Sequence, residues 1–259
     1  VPQVHIAAAS RHDGGRKRFK QQGKLDGAAF ACHWRDMLLS DRVLFLDGEA
    51  MIIDKPSGLP VDAPRDGSLS LENHVEGLKF GFKRWPTAVH RLDRDTSGCL
   101  LLARSPKAHA RFQQAFEAKT VVKHYLAVVA GIPEGDSGVI DLPLGKFSTE
   151  ESGWRMIVDH KRGKSAITAW EKLAERNGRA LIRFIPETGR THQIRAHAIY
   201  GLRAAIVGDP VYGLAGEPML LHSTFLSVPR DGKPPVEATA PLPERFATAG
   251  FSAGSFDLP

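Results

Sequence analysis

The 259-residue chain has little cysteine, with Cys32 and Cys99 as its two thiols, and it lacks a CxxC pair. A disulfide framework and a cysteine-based zinc site are both excluded, which suits a reducing compartment such as the cytoplasm. Long apolar runs are missing too: stretches such as Gly98–Ala103 are far too short to span a bilayer. No charged-then-apolar leader is visible at the start, and the chain opens on Val1 rather than Met. A glycine-rich GxGxxG loop, an Asp-Phe-Gly motif and internal repeats are also absent. These absences remove the kinase reading that His-Arg-Leu-Asp might otherwise invite.

Acid is scarce at the N-terminus. The net charge is +6, yet Arg11, Arg16, Lys17, Arg18, Lys20 and Lys24 face Asp13 alone, so +5 lies in the first 24 residues and +1 in the remainder. The basic charge therefore describes an arm, and the body has to be judged by its local clusters. Such an arm can grip phosphates through counterion release, or it can be a solvated tail.

What is present is the composition of a globular domain, 42% hydrophobic and 25% charged, with 25 Gly and 17 Pro to make turns. Residues 1–40 read as a basic, flexible extension, with a short helix expected over Phe30–Leu39. Val43–Leu46 and Ala50–Ile53 read as a hairpin turning at Asp47-Gly48. Asp54–Pro60 is a rigid loop, and Ser70–Gly77 a short helix. Cys99–Ala103 is a buried strand, followed by a helix capped by Ser105 with Pro106 in its first turn. Val121–Val129 is a strand whose Val121, Lys123, Tyr125, Ala127 and Val129 share a side. Residues 131–164 read as long loops. Ser165–Leu173 and Ala180–Ile185 form paired strands through Asn177-Gly178, Thr191–Ile199 a helix capped by Thr191, and Met219–Val228 a further strand. Strands and helices do not alternate regularly, so the expected class is α+β, a single domain with a mixed, mainly antiparallel sheet flanked by helices and loops.

Four islands combine reactive side chains with turn formers: Asp54-Lys-Pro-Ser-Gly-Leu-Pro60, His90-Arg-Leu-Asp-Arg-Asp-Thr-Ser-Gly98, Lys123-His-Tyr125, and Glu187-Thr-Gly-Arg-Thr-His-Gln-Ile-Arg-Ala-His197. Each has a plain structural reading. Asp93 and Asp95 can be turn carboxylates in solvent, or a pair for glycoside hydrolysis. His192 and His197 are five apart, a spacing that puts them on different faces of a helix and argues against metal ligation.

Taken together and in order, the islands resemble the signatures of the RluA family of RNA pseudouridine synthases, and Leu221-His222 resembles the Leu-His-Ala that follows them there, with Ser223 in the Ala place. The resemblance runs from about Val43 to Val228. His90, where the small-subunit branch of the superfamily has Gly, favours the RluA branch. The resemblance implies the pseudouridine synthase fold over residues 41–245, with 246–259 as a C-terminal tail. The first 40 residues are too short and irregular for the S4 RNA-binding domain that many relatives carry. It implies isomerisation of uridine in ribosomal or transfer RNA, with Asp93 as the catalytic carboxylate acting at C1′ or at the adjacent C2′ proton. Arg195 is the implied partner of Asp93, and Tyr125 the side chain that stacks on the uracil and helps remove its C5 proton. The target must leave its stack, and Arg91 is the implied filler of the vacated space. His90, Lys55, Arg190, His192 and Gln193 are candidate RNA or loop contacts. No cofactor, metal or obligate protein partner is implied, and a monomer is expected. The rivals are an inactive RNA-binding module of the same fold and a carboxylate-based nucleosidase.

Deleting residues 1–24 is expected to weaken RNA binding and to flatten its salt dependence. Fluorescence anisotropy at several salt concentrations checks this; an unchanged slope makes the arm a passive tail.

Overall fold

A computed structural model describes residues 38–254 apart from residue 65 and residues 150–152. Most of the helix expected over Phe30–Leu39, and the basic arm, lie outside the described residues. The chain enters through a 3-10 turn at Leu39–Arg42 into a hairpin of β1 (Val43–Leu46) and β2 (Ala50–Lys55). Asp47 makes that turn, its carboxylate accepting the amides of Glu49 and Ala50 at 2.8 Å each. A 3-10 segment, Leu71–Leu78, follows, entered through Ser70 with Asn73 in a reciprocal capping box.

Next come β3 (Thr87–Ala88), β4 (Ser97–Ala103), α1 (Pro106–Glu117) and β5 (Val122–Ala130). Ser105 caps α1 as expected, accepting the Ala108 amide at 3.2 Å. The remaining elements are β6 (Ser137–Asp141), β7 (Leu144–Thr149), β8 (Gly153–Val158), β9 (Ile167–Arg176), β10 (Arg179–Pro186), α2 (Gln193–Gly201), β11 (Leu221–Arg230), β12 (Lys233–Thr239) and α3 (Glu244–Thr248).

The main sheet runs β1-β2-β4-β11-β5-β10-β9-β6, with β12 added to β11 and β3 to β4. One pairing is parallel, β4 with β11; the others are antiparallel. The expected α+β class with a mixed, mainly antiparallel sheet is therefore the observed one. Among the described residues no helix is long and apolar enough to cross a membrane.

Every residue of β4 is buried, and its two faces serve different cores. Leu100 and Leu102 join Tyr125, Ala127, Phe184, Ile194 and Ala198 under α2. Cys99, Leu101 and Ala103 join Ala108 and Phe112 of α1 with Val228 and Val236. A strand covered on both faces reads as a continuous apolar run, which is why it was visible in the sequence. Tyr125, Ala127 and Val129 do share a side, but Val121 precedes β5 and packs in the α1 core.

Three expectations need correction. Residues 131–164 are not long loops: they hold β6, β7 and β8, and β7 with β8 forms a separate two-stranded sheet. Those strands are largely exposed, so they carry little apolar alternation. The second helix starts at Gln193, and its N-cap is His192 in a left-handed conformation (φ 52°) with no side-chain cap, not Thr191. Finally, residues after 245 are not simply a tail, because Phe246 and Phe251 are buried against Leu126, Val128 and Leu181. The prolines that hid β12 sit on a strand that pairs on one side only.

The parallel contact of β4 and β11 leaves no room for a side chain at Gly98. His222 pairs with Ser97 and Ser223 with Gly98. Gly98 has φ 106°, and a Cβ there would stand 2.2 Å from the Ser223 carbonyl oxygen. Gly98→Ala is expected to destabilise the fold by about 3 kcal/mol or more, since backbone strain and a backbone clash combine. A thermal melt within a degree or two of wild type would refute this.

Candidate active site

Asp93 lies in the loop that leads into β4, closed by the Thr96 amide donating to the Asp93 carbonyl at 3.1 Å. A second loop clamps it from behind. The Gly58 amide donates to the Arg94 carbonyl (2.9 Å), and the Ser57 hydroxyl donates to the Asp95 carbonyl (2.7 Å). Lys55 is fully buried, and its ammonium donates to the carbonyls of Pro56, Leu59 and Arg94 at 2.8–3.0 Å. Its three donors are spent. Lys55 is thus the pin between the two loops, which makes it the loop contact of its two expected roles and not a phosphate contact. Burial pushes its pKa down to about 7, with the nearby Asp95 and Asp93 opposing.

Asp95 is held by its neighbour Arg94 in a two-point pair at 2.9 Å. Asp93 instead meets Arg195 on α2, whose Nη1 donates to it at 2.9 Å. The same guanidinium grips Asp209 through Nε (2.7 Å) and Nη2 (2.8 Å). Burial alone would lower the pKa of Arg195, but hydrogen bonds and charge from Asp209, then Asp93, more than offset it and the value is raised. Burial likewise pushes Asp209 up, and Arg195 outweighs it, so that carboxyl is lowered.

Arg195 reaches Asp93 because the segment before α2 is locked from inside. The Gln193 amide donates to the Ile167 carbonyl (3.0 Å) and the Thr168 hydroxyl (2.9 Å). Its oxygen accepts the Thr188 hydroxyl (2.8 Å) and the Arg190 amide (2.9 Å). Gln193 is therefore an internal brace, fully used, and not an RNA contact. His197 is spent in the same way on Thr168 and the Leu142 carbonyl. No cluster of three potential metal ligands occurs among the described residues.

His192 stacks on Trp154 of β8 (4.7 Å between ring centres) and lies 3.9 Å from Asp93 through Nε2. Its Nδ1 is 3.2 Å from the Tyr212 hydroxyl, which already accepts the Met156 amide at 2.8 Å. Burial lowers the pKa of His192, with Asp93 opposing, so the ring is neutral at pH 7. The tautomer that suits both neighbours has Tyr212 donating to Nδ1 and the proton on Nε2, facing the carboxylate.

These groups surround one cavity of about 250 Å³, which Asp93, Tyr125, Arg195, Arg91, Arg190 and His192 line together. Tyr125 points in from β5, and burial pushes its phenol up to about 12. It is a neutral hydroxyl at pH 7. Arg91 is exposed and paired with the exposed Asp62 at 2.9 Å. Arg190 donates to the Ser165 carbonyl at 3.0 Å. His90 also reaches the wall, but its Nε2 accepts the Leu101 amide (3.0 Å), it stacks on Phe116, and burial pushes it down to about 3. A neutral ring spent on backbone is a scaffold residue, which corrects its reading as an RNA contact.

Sequence reasoning missed Asp209, Tyr212 and Trp154. Asp209-Pro-Val-Tyr212 follows Gly208 at φ 74°, whose Cβ would meet the Pro218 carbonyl oxygen at 2.4 Å. The Gly208-Asp209-Pro210 run was the available sequence signal, and it marks a turn without naming the partner of its acid.

Residues 49–200 match the family model described as RNA pseudouridylate synthase. The chain is 57% identical, over 83% of its length and 99% of the relative's, to an uncharacterized RNA pseudouridine synthase of Zymomonas mobilis. It is 35% identical, over 73% of its length and 54% of the relative's, to the ribosomal large subunit pseudouridine synthase D of Nitrosomonas europaea. The solved structure of human RNA pseudouridylate synthase domain containing 4 superposes with a TM-score of 0.68 at 25% identity, covering 81% of this chain and 91% of that one.

The two-carboxylate grip requires a planar fork, so Arg195→Lys should lower kcat on RNA roughly 100- to 1000-fold despite keeping the charge. Asp209→Asn should cost about 3 kcal/mol of stability through the buried charge it leaves unpaired. Single-turnover assays and denaturant melts read the two effects; near wild-type turnover in Arg195→Lys would refute the fork.

Proposed function

The chain belongs to the RNA pseudouridylate synthase family and is an RNA pseudouridine synthase of the RluA type, and from that premise we propose that Asp93 is its catalytic carboxylate and ribosomal RNA its substrate. The observation that carries the reading is the placement of Asp93, gripped by Arg195, in the same cavity as Tyr125.

In the isomerisation the bond from N1 to C1′ breaks, the uracil turns, C5 joins C1′, and the C5 proton leaves as N1 gains one. Nothing is oxidised and no group enters from a donor. Asp93 acts on the ribose, at C1′ or at the C2′ proton, while Arg195 offsets its charge in a partly buried setting. Tyr125, a neutral phenol, packs on the base; it is not a ready-made phenolate. The uridine enters by flipping out of its stack. Arg91 can fill the gap, since its exposed pair with Asp62 costs little to break.

Large-subunit ribosomal RNA is the favoured substrate because relatives named as ribosomal large subunit pseudouridine synthases C and D match 68% and 73% of the chain. We further propose a monomer acting in the cytoplasm. The nucleosidase alternative needs a second free carboxylate across the cavity; Asp209 is tied to Arg195.

Wild type and Asp93→Asn are to be compared on RNA from a strain lacking the gene, with pseudouridine mapped by mass spectrometry. Wild type should add pseudouridine to 23S-type RNA and Asp93→Asn none. Free nucleosides hydrolysed by wild type, with the RNA unchanged, would sink the proposal.

A further inference from the structure

At the far end of β4 from Asp93, a strand about 20 Å long at its rise per residue, lies a second cavity of about 310 Å³. Arg84, Trp85, Arg104, Ser105 and His109 are among its lining residues. None of them takes part in the chemistry described above.

The segment over this cavity reads Lys79-Phe-Gly-Phe-Lys-Arg-Trp85. The Phe82 amide donates to the Lys79 carbonyl at 3.0 Å, closing a tight turn in which Phe80 (φ 44°) and Gly81 (φ 82°) are both left-handed. Asn or Gly normally takes the first of those positions, and a bulky aromatic there is an outlier. Burial does not repay it, because the Phe80 side chain stays 45% exposed. Phe82 and Trp85 are exposed as well, at 41% and 60%.

The turn is nevertheless rigidly held. The buried Arg104 lies 3.5 Å over the Phe82 ring and donates to the carbonyls of Asp47 (3.0 Å) and Lys79 (2.9 Å). The Trp85 indole donates to Glu76 at 2.6 Å, and Glu76 also pairs with Lys79 at 2.9 Å. Lys83 and Arg84 are exposed and have no ion-pair partner among the described residues. From Gly77 to Leu92 the chain contains no acid. The adjacent first turn of α1 also lacks an acid and carries Lys107 instead.

Preorganised, exposed rings interleaved with unpaired cations are the means by which proteins hold unpaired nucleic acid: bases stack on the rings and phosphates meet the cations. We infer that the Lys79–Trp85 turn and the cavity beneath it form a second RNA-binding site, which takes an unpaired stretch of the substrate RNA at the opposite end of β4 from the target uridine. This rests on the synthase reading above for its substrate, and it extends that reading to how the RNA is held. Lys83 and Arg84 contact phosphates, and Trp85 and Phe80 offer stacking faces.

The test uses the full chain and a fluorescein-labelled 20-nucleotide oligouridylate, with anisotropy followed as salt is varied. Lys83→Glu/Arg84→Glu should weaken binding about tenfold and reduce the slope of log affinity against log salt by about 1.4. Trp85→Ala should weaken it about tenfold with the slope unchanged, and Trp85→Tyr should restore most of the loss. Each variant should still form pseudouridine at saturating RNA, with a raised KM. Affinities within twofold of wild type, in variants that melt normally, would overturn the inference and leave a protein partner as the occupant of the surface. Failure of the synthase reading is a separate result: wild type itself would then form no pseudouridine, whatever its affinity for the oligonucleotide.

Discussion

Arg195 spends three of its five N–H donors on two carboxylates that come from distant parts of the chain. Removing these three charges from water costs several kcal/mol per ion, so such a buried grip adds little to net stability. Its value lies in geometry. Asp209 is held by the fork and in turn accepts the amides of Val211 (2.8 Å) and Tyr212 (3.1 Å), which shapes the turn. That turn sets Tyr212 against the Met156 amide and His192. The separate β7–β8 hairpin is thereby tied to the cavity through one hydroxyl and through the Trp154–His192 stack. Asp93, the hairpin and α2 therefore share a single reference point.

The sheet delivers Asp93 to that point by a backbone constraint. β11 crosses from β5 to lie parallel to β4, and the two strands meet over His222–Ser223 and Ser97–Gly98. Ser97 contacts His222 at 2.8 Å and accepts from Arg245 of α3 at 2.5 Å. Helix α3 is thus bonded directly to the strand that follows the Asp93 loop. Behind it, Lys55 satisfies three carbonyls in a dry interior, where unpaired groups would be costly. The loop holding Asp93 is fixed on both sides before any substrate arrives.

Much of this was legible in the sequence. Val43–Leu46, Cys99–Ala103 and the Ser105-Pro106 helix start have local causes: a strand's apolar content, full burial on both faces, and a cap. Asp93, Tyr125 and Arg195 were recognisable because their motifs occur in order, and the structure brings all three to one cavity. The rest depended on partners that sequence does not reveal. Lys55 and His90 stood as candidate RNA or loop contacts until their donors and acceptors were found to be spent on backbone. β7 and β8 bury little beyond Leu144 and Met156, which pack on Ala196 of α2, so their apolar pattern is short and easily missed. Asp209 is an ordinary acid until Arg195 is placed beside it. His192 took the N-cap position from Thr191 because the Gln193 brace, not a capping hydroxyl, decides where α2 begins.

The protonation states around the cavity bear on which chemistries it can run. His90 is pushed down to about 3, His192 is lowered, and Tyr125 is pushed up to about 12, each chiefly by burial. At pH 7 all three are neutral. Hydrolysis of a glycosidic bond by paired acids needs one carboxyl to donate a proton and another to act opposite it, and here the second carboxylate is consumed by the arginine. An isomerisation makes a smaller demand, since the proton lost at C5 is matched by one gained at N1. In the proposed role for Asp93, one carboxylate, neutral groups beside it and a guanidinium to balance charge match that smaller demand. Lys123 also lines the cavity, and burial pushes it down to about 8. Its ammonium contributes positive charge to the cavity wall, and it does so less as pH rises through that value.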